Sequence, residues 1–111
     1  MSKHLAAVPN IIHLSAFDID VRVLPEVHHE GQRCYGLWKG DTQEVLISEE
    51  APSDRMATCT LMHEIFHAIW WAYDIAPKEQ EESTVTRLSH GLGEVFVRNP
   101  GLLTWIQKGL K

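Results

Sequence analysis

Two histidines and a glutamate share one turn of a predicted helix. They belong to the segment His63-Glu64-Ile65-Phe66-His67, which has the pattern HExxH. Residues four apart on a helix lie on one face, with β-carbons about 5–6 Å apart. The two imidazoles can therefore converge on one ion at the zinc–nitrogen distance of about 2.0–2.1 Å. Glu64 is placed to reach a water molecule on that ion, so the spacing predicts one Zn²⁺ per chain with Glu64 as general base.

The surroundings of the motif favour a metal site over a metal-free His–Glu hydrogen-bond cluster. Glu64 is the only charged residue between Arg55 and Asp74. A helix that is apolar nearly all round is expected to be central in the fold, and this one should run from Ser53-Asp54 to about Tyr73. A carboxylate buried there is costly unless something compensates it. A metal ion would compensate the carboxylate and both histidines together.

A catalytic zinc site needs a third protein ligand and an open coordination position. The longer motif HExxHxxGxxH is excluded, because Trp70 and Tyr73 stand where it requires glycine and histidine. The remaining donors are the glutamates at the start of the next predicted helix, namely Glu79, Glu81 and Glu82.

The pattern of that helix is used to choose among its glutamates. We favour Glu82, because the stripe that continues from it is rich in small residues that allow close packing on the first helix. This stripe consists of Val85, Thr86, Ser89 and Gly93. Glu81 is the alternative, but the stripe that continues from it is typical of a core face. That stripe consists of Val85, Leu88, Leu92 and Val95.

Shorter elements precede and follow these two helices. Asp18–Val23 alternates in polarity, which predicts a half-buried strand, and Gln32–Trp38 with Gln43–Ser48 predicts a β-hairpin. Gly36 within the hairpin is expected to mark a bulge or a close approach of another backbone. We therefore expect an α+β fold, with a small three-stranded N-terminal sheet packed on the central HExxH helix. A Glu-bearing helix over about 78–98 and a short C-terminal helix opened by Asn99-Pro100 should follow.

Composition limits the class of protein and its partners. The 111 residues fit a single domain, with residues 1–10 expected as a loose lead-in. Ten basic residues against fifteen acidic ones give a net charge of −5, so neither nucleic acid nor an anionic membrane surface is an expected partner. The chain has no apparent signal peptide or spanning segment. Cys34 and Cys59 are expected to be reduced, buried thiols in a cytoplasmic protein.

Taken together, these motifs resemble a known group of enzymes. The HEIFH motif after a strand and hairpin, then an EE-x-x-V-x-x-L helix and an Asn-Pro break, is similar to compact gluzincin metallopeptidases of the ImmA/IrrE type. The similarity is greatest to the small metallopeptidases encoded by phages and prophages, which would imply the host cytoplasm. The resemblance implies zinc ligands at His63, His67 and Glu82, with Glu64 activating water. The family segment E-x-E-A-N here reads Glu81-Glu82-Ser83-Thr84, which leaves both glutamates as candidates.

The expected function is hydrolysis of a peptide bond in a peptide or protein substrate, by Glu-assisted attack of zinc-bound water. The outer edge of the hairpin could receive an extended peptide over the zinc. Tyr73 and His90 are candidates for stabilising the oxyanion by residue type, although a helix-end residue and a surface residue are the favoured interpretations. Two alternatives remain: a zinc-stabilised, non-catalytic protein that binds a host or phage partner, and hydrolysis of a non-peptide amide.

Overall fold

The computed structural model describes residues 1–75 and 81–111, apart from the side chains of residues 81–83 and 85. These residues form a mixed α+β fold of four helices and six strands. The helices are α1 (Lys3–Ala6), α2 (Asp54–Ala72), α3 (Glu81–Arg98) and α4 (Pro100–Leu110). The strands are β1 (Ile11–Leu14), β2 (Phe17–Leu24), β3 (Val27–His29), β4 (Gln32–Cys34), β5 (Gly36–Lys39) and β6 (Glu44–Ser48).

Four of the strands form one mixed sheet in the order β1-β2-β6-β5. The pairs β1–β2 and β5–β6 are antiparallel, whereas β2 and β6 run parallel. The predicted strand and hairpin are confirmed as β2 and β5–β6, and the buried side of β2 contains Ile19 and Val21 as its alternation indicated. The predicted number of strands in this sheet is wrong: it has four strands and not three, because β1 pairs with the otherwise free edge of β2.

The segment before β5 also differs from the prediction. The single strand expected over Gln32–Trp38 is divided at Tyr35, where the chain changes its pairing partner from β3 to β6. His28 and His29 lie in β3, and both residues are exposed. β3 and β4 therefore form a second, two-stranded sheet that is not part of the main sheet.

Helix α2 lies at the centre of the fold but is covered on one side only. Its start is as predicted, because the Ser53 side chain accepts a hydrogen bond from the Met56 N–H. The buried side chains include Leu61, Ile65 and Ile69. The helix is central, as predicted, but four of its large apolar side chains are exposed: Met56, Phe66, Trp70 and Trp71. None of the described helices is long and apolar enough to cross a membrane.

Both cysteines are free thiols, as predicted, but their predicted burial is wrong. Cys59 is exposed on the open side of α2, and Cys34 in β4 is only partly buried. The sequence placed each within a regular element, and a regular element does not say which of its sides is covered.

Residues 1–10 are not a loose lead-in. They contain α1, whose Leu5 is only 4% exposed. The His4 ring stacks on Trp105 of α4 with ring centroids 4.1 Å apart, and its Nε2 lies 2.9 Å from the Thr58 hydroxyl. The Trp105 indole N–H donates to the His4 carbonyl. The chain start is thus fixed by partners far away in sequence, which local composition cannot indicate.

Asn99 joins three elements at the break before α4. Pro100 is the first residue of α4, as predicted, but the Asn99 side chain makes no capping hydrogen bond. Its amide donates to the carbonyls of Val95 and His13 at 2.8 and 2.9 Å, and its oxygen accepts the His13 N–H at 2.9 Å. Asn99 therefore fastens β1 to the end of α3.

Replacing this amide should destabilise the fold. Asn99→Ala removes three hydrogen bonds from a residue that is 7% exposed, and we expect a loss of about 2–3 kcal/mol in the free energy of unfolding. Urea denaturation measures the change. Asn10→Ala, at the chain's other and exposed asparagine, is the matched control and should stay within about 0.5 kcal/mol of wild type. Equal stability of the two variants would contradict the role given to Asn99.

Candidate metal centre

The two histidines of the HExxH motif converge through their Nε2 atoms. His63 Nε2 and His67 Nε2 lie 3.1 Å apart, with the ring planes at 71° to each other. Two nitrogens that each bind a tetrahedral zinc at about 2.0–2.1 Å are separated by roughly 3.3 Å. The observed distance also fits a single hydrogen bond between two neutral imidazoles. The pair can therefore accept an ion with little side-chain movement.

Glu64 lies beside this pair but is buried beneath the sheet. Ligand atoms of His63, Glu64 and His67 all lie within 4.8 Å of one another. Glu64 is 7% exposed, and burial raises the pKa of its carboxyl group, an effect opposed by the two imidazoles and by the backbone N–H of Trp38. A carboxyl group with a raised pKa is suited to accept and return a proton near neutral pH.

Strand β5 covers Glu64 because Gly36 has no side chain. A Cβ placed on Gly36 would lie 2.5 Å from Thr60 Cγ2 and 3.2 Å from both Cγ and Oε2 of Glu64. A close approach does occur at this glycine, but the atoms that approach it belong to side chains of α2 and not to another backbone as predicted. This contact brings the strand directly onto the turn that carries the motif.

The pairing of β5 turns one of its edges toward the site. The Tyr35 carbonyl accepts the Ser48 N–H at 2.8 Å, so alternate residues of β5 pair with β6 while Gly36 and Trp38 direct their backbone groups outward. On this outer side, the backbone N–H of Trp38 lies near the Glu64 carboxyl group and opposes the rise in its pKa. The free edge of the hairpin thus borders the candidate metal centre.

Two pockets open on either side of His63. One has a volume of about 360 Å³ and lies toward the start of α2, between Tyr35, Met56 and Thr60. The other has a volume of about 380 Å³ and lies toward the end of α2. Its described lining consists of His63, Phe66, His67 and Trp70. The histidine pair therefore lies between two depressions of similar size.

The third predicted ligand falls where side chains are not described. Glu82 and its alternative Glu81 lie in the first turn of α3, but their side chains are outside the described part, as is residue 79 altogether. The stripe of small residues that favoured Glu82 does not pack on α2 as predicted, because Thr86, Ser89 and Gly93 are exposed. A Cβ on Gly93 would meet nothing within 4 Å.

The side of α3 that packs on α2 follows a different register. A Cβ on Gly91 would lie 2.5 Å from Ile69 Cγ2 of α2, and Val95 is fully buried. Position 81 is in helical register with Leu88 and Val95, whereas position 82 is in register with the exposed stripe. Small residues misled the prediction because they suit a solvated face as well as a close contact.

Tyr73 and His90 take the ordinary roles favoured from the sequence. The Tyr73 hydroxyl donates to Glu94 at 2.7 Å, which is the main reason that the pKa of Tyr73 is raised. His90 is exposed on α3. Glu94, which sequence analysis did not single out, also accepts the Ser15 N–H at 2.7 Å and pairs with Arg98. Glu94 therefore links the end of α2, α3 and the β1–β2 turn. The only sequence feature that could have indicated this role is that Glu94 is an isolated acidic residue late in α3.

Comparison with known proteins found no matching family model, no matching curated protein and no matching solved structure. Within the part of the chain that the structure describes, His63, Glu64 and His67 form the one group arranged to hold a metal ion.

Gly36→Ala should strain the contact between β5 and α2. The added methyl group meets Thr60 Cγ2, and we expect a loss of about 1–3 kcal/mol in the free energy of unfolding. Thr60→Ser removes that methyl partner, so the double variant should recover more than half of the loss. Gly93→Ala is the matched control, because nothing lies within 4 Å and alanine favours a helix by up to about 1 kcal/mol. Additive losses in the double variant would contradict the contact.

The stability of the metal-free protein should depend on pH through Glu64. Burial raises the pKa of this carboxyl group above its ordinary value of 4.5, so between the two values the folded protein binds more protons than the unfolded chain. Stability contributed by the neutral carboxyl is therefore lost as pH rises from 4.5 through the folded pKa. Urea unfolding across this range should show Glu64→Gln gaining stability relative to wild type as pH rises.

Glu30→Gln, at an exposed glutamate, is the control for this pH series. A stability difference between Glu64→Gln and wild type that stays constant at every pH would contradict the burial effect.

Proposed function

We propose that this chain is a zinc-dependent metallopeptidase of the compact gluzincin type, similar to the ImmA/IrrE group. The observation that carries the proposal is the 3.1 Å separation of His63 Nε2 and His67 Nε2 beside a buried glutamate. An imidazole pair with a carboxyl group of raised pKa is the donor and base set that metal-assisted hydrolysis requires.

In this proposal His63 and His67 hold the ion, together with a glutamate from the first turn of α3. When bound, zinc supplies Lewis acidity toward a substrate carbonyl and lowers the pKa of water. Glu64 accepts the proton of the attacking water and later delivers it to the leaving amine. The backbone N–H of Trp38 favours the ionised form of Glu64, which is the form that accepts the proton.

Glu82 was the third ligand favoured from the sequence and from the family resemblance, with Glu81 as the alternative. The register of α3 supports Glu81, since that position continues the stripe that packs on α2. The two glutamates therefore have to be compared directly, with the same measurement on both.

The substrate is proposed to be an extended peptide that pairs with the outer edge of β5. The backbone groups of Gly36 point away from β6 on the side where the metal centre lies. A peptide added as a further strand would have its backbone fixed beside His63 and Glu64. This arrangement supports hydrolysis of a peptide bond over hydrolysis of an isolated amide.

A second candidate function has its own supporting observation. Large apolar side chains, including Phe66, Trp70 and Met56, are exposed on the side of α2 that carries the motif. Such a surface could bind a partner protein, with zinc serving only the stability of the fold. A host or phage protein remains the expected partner in that case.

Glu64→Gln should separate an enzyme from a binding protein. The variant is expected to keep one zinc per chain while losing hydrolysis by at least about 100-fold, because the general base is gone. Zinc per chain and peptide hydrolysis are measured on the same preparations. His63→Ala is the companion variant and should lose zinc as well as hydrolysis. Hydrolysis unchanged in Glu64→Gln would contradict the proposal.

Glu81→Gln and Glu82→Gln complete this series. The α3 register leads us to expect a large loss of zinc in Glu81→Gln and near-full zinc in Glu82→Gln, each variant serving as the control for the other. A large loss of zinc in Glu82→Gln with near-full zinc in Glu81→Gln would identify Glu82, the residue favoured from the sequence, as the third ligand. Full zinc in both variants would contradict a ligand from the first turn of α3.

A further inference from the structure

The two pockets beside His63 differ in the chemistry of their walls. The pocket toward the end of α2 has Phe66 and Trp70 as its described walls besides the histidines, and these side chains remain 41% and 37% exposed. Its described lining contains no Lys, Arg, Asp or Glu. The pocket toward the start of α2 is lined by residues of mixed character, because Tyr35, Thr60 and Glu64 lie there beside Met56. An apolar side chain is therefore favoured at one end of the site more than at the other.

Strand β5 and helix α2 run in the same direction past the site. Gly36 lies against Thr60, near the first pocket. Further along β5, the Trp38 ring contacts the Trp71 ring with centroids 5.6 Å apart, and Gly40 also approaches Trp71. These contacts show that β5 runs from the start of α2 toward its end, which is also the end where the pocket of Phe66 and Trp70 lies, here called the aromatic end.

This direction orients a bound peptide. An extended chain that pairs antiparallel with β5 enters at the aromatic end and leaves at the end near Met56. Residues before the cleaved bond then lie beside Phe66 and Trp70, and residues after it lie beside Met56 and Thr60. Antiparallel pairing is expected because it is slightly more stable per residue than parallel pairing.

We infer that the preferred substrate carries a large apolar or aromatic residue on the amino-terminal side of the cleaved bond. This inference rests on the proposed function. Phe66 and Trp70 receive that side chain and act as specificity-determining residues. Water adds across the bond, so the C–N bond breaks, the carbonyl carbon becomes a carboxylic acid and the nitrogen leaves as an amine. Glu64 moves the proton from the water to that amine, and no other reactant is consumed.

Two isomeric peptides test this inference on the zinc-loaded full chain. Both carry one phenylalanine in an otherwise Ala/Ser sequence, placed before the cleaved bond in one peptide and after it in the other. Mass spectrometry identifies the bond that is cut. We expect kcat/KM to favour phenylalanine before the bond by at least about tenfold, which is the discrimination an apolar pocket provides. Equal rates, or preference for phenylalanine after the bond, would overturn the inference.

Trp70→Ala should remove this preference, lowering the ratio of kcat/KM between the two isomeric peptides by about tenfold. Leu103→Ala is the matched control, because Leu103 is equally exposed at 37% but lies on α4. A preference that persists in Trp70→Ala would overturn the assignment of Trp70. An equal loss in Leu103→Ala would show that the effect comes from general destabilisation and would likewise overturn it.

A binding measurement distinguishes failure of this inference from failure of the proposed function. Zinc-loaded Glu64→Gln is titrated with the same two peptides, followed by tryptophan fluorescence and repeated with Trp70→Ala added. Stronger binding of the favoured peptide that depends on Trp70, without cleavage by wild type, would sustain the aromatic pocket and overturn the peptidase. Cleavage without any preference would sustain the peptidase and overturn the inference, and neither binding nor cleavage would overturn both.

Discussion

The contact between β5 and α2 is the constraint on which the rest of the site depends. A side chain at position 36 would collide with Thr60, so the strand can lie on the helix only because this residue is glycine. The contact covers Glu64 and supplies the Trp38 N–H to its carboxyl group. It also turns the free edge of β5 toward His63. One close approach of a strand to a helix therefore fixes the carboxyl group and the free edge of β5 beside the histidine pair together.

The chemistry follows from how charge is distributed around that contact. A carboxyl group under the sheet is poorly solvated, so its ionised form is disfavoured and its pKa is raised. His63 and His67 are exposed and converge on the open side of the same helical turn. A cation held by the two imidazoles would favour ionised Glu64 and offset part of the cost of its burial. The carboxyl group and the two imidazoles thus differ in burial, although they belong to one turn.

Local sequence patterns predicted the elements that carry the chemistry, whereas tertiary contacts decided the rest. The spacing of His63 and His67 and the alternation in Asp18–Val23 act over a few residues, so the HExxH helix and β2 were predictable. The ordered chain start was not, because Leu5 is buried by elements far along the sequence. The exposure of Trp70 was missed for a related reason. An apolar composition shows that a helix has partners but not how many of its sides they cover.

X-ray absorption spectroscopy at the zinc edge of the zinc-loaded protein tests the central claim most directly, since it reports which atoms surround the ion. The account predicts two imidazole nitrogens at about 2.0–2.1 Å from the zinc, in a four-coordinate site completed by oxygen. The imidazole scattering should be weaker in His67→Ala, because only His63 is left to supply an imidazole nitrogen. A spectrum without imidazole scattering, or with six oxygen neighbours, would contradict a metal centre formed by His63 and His67.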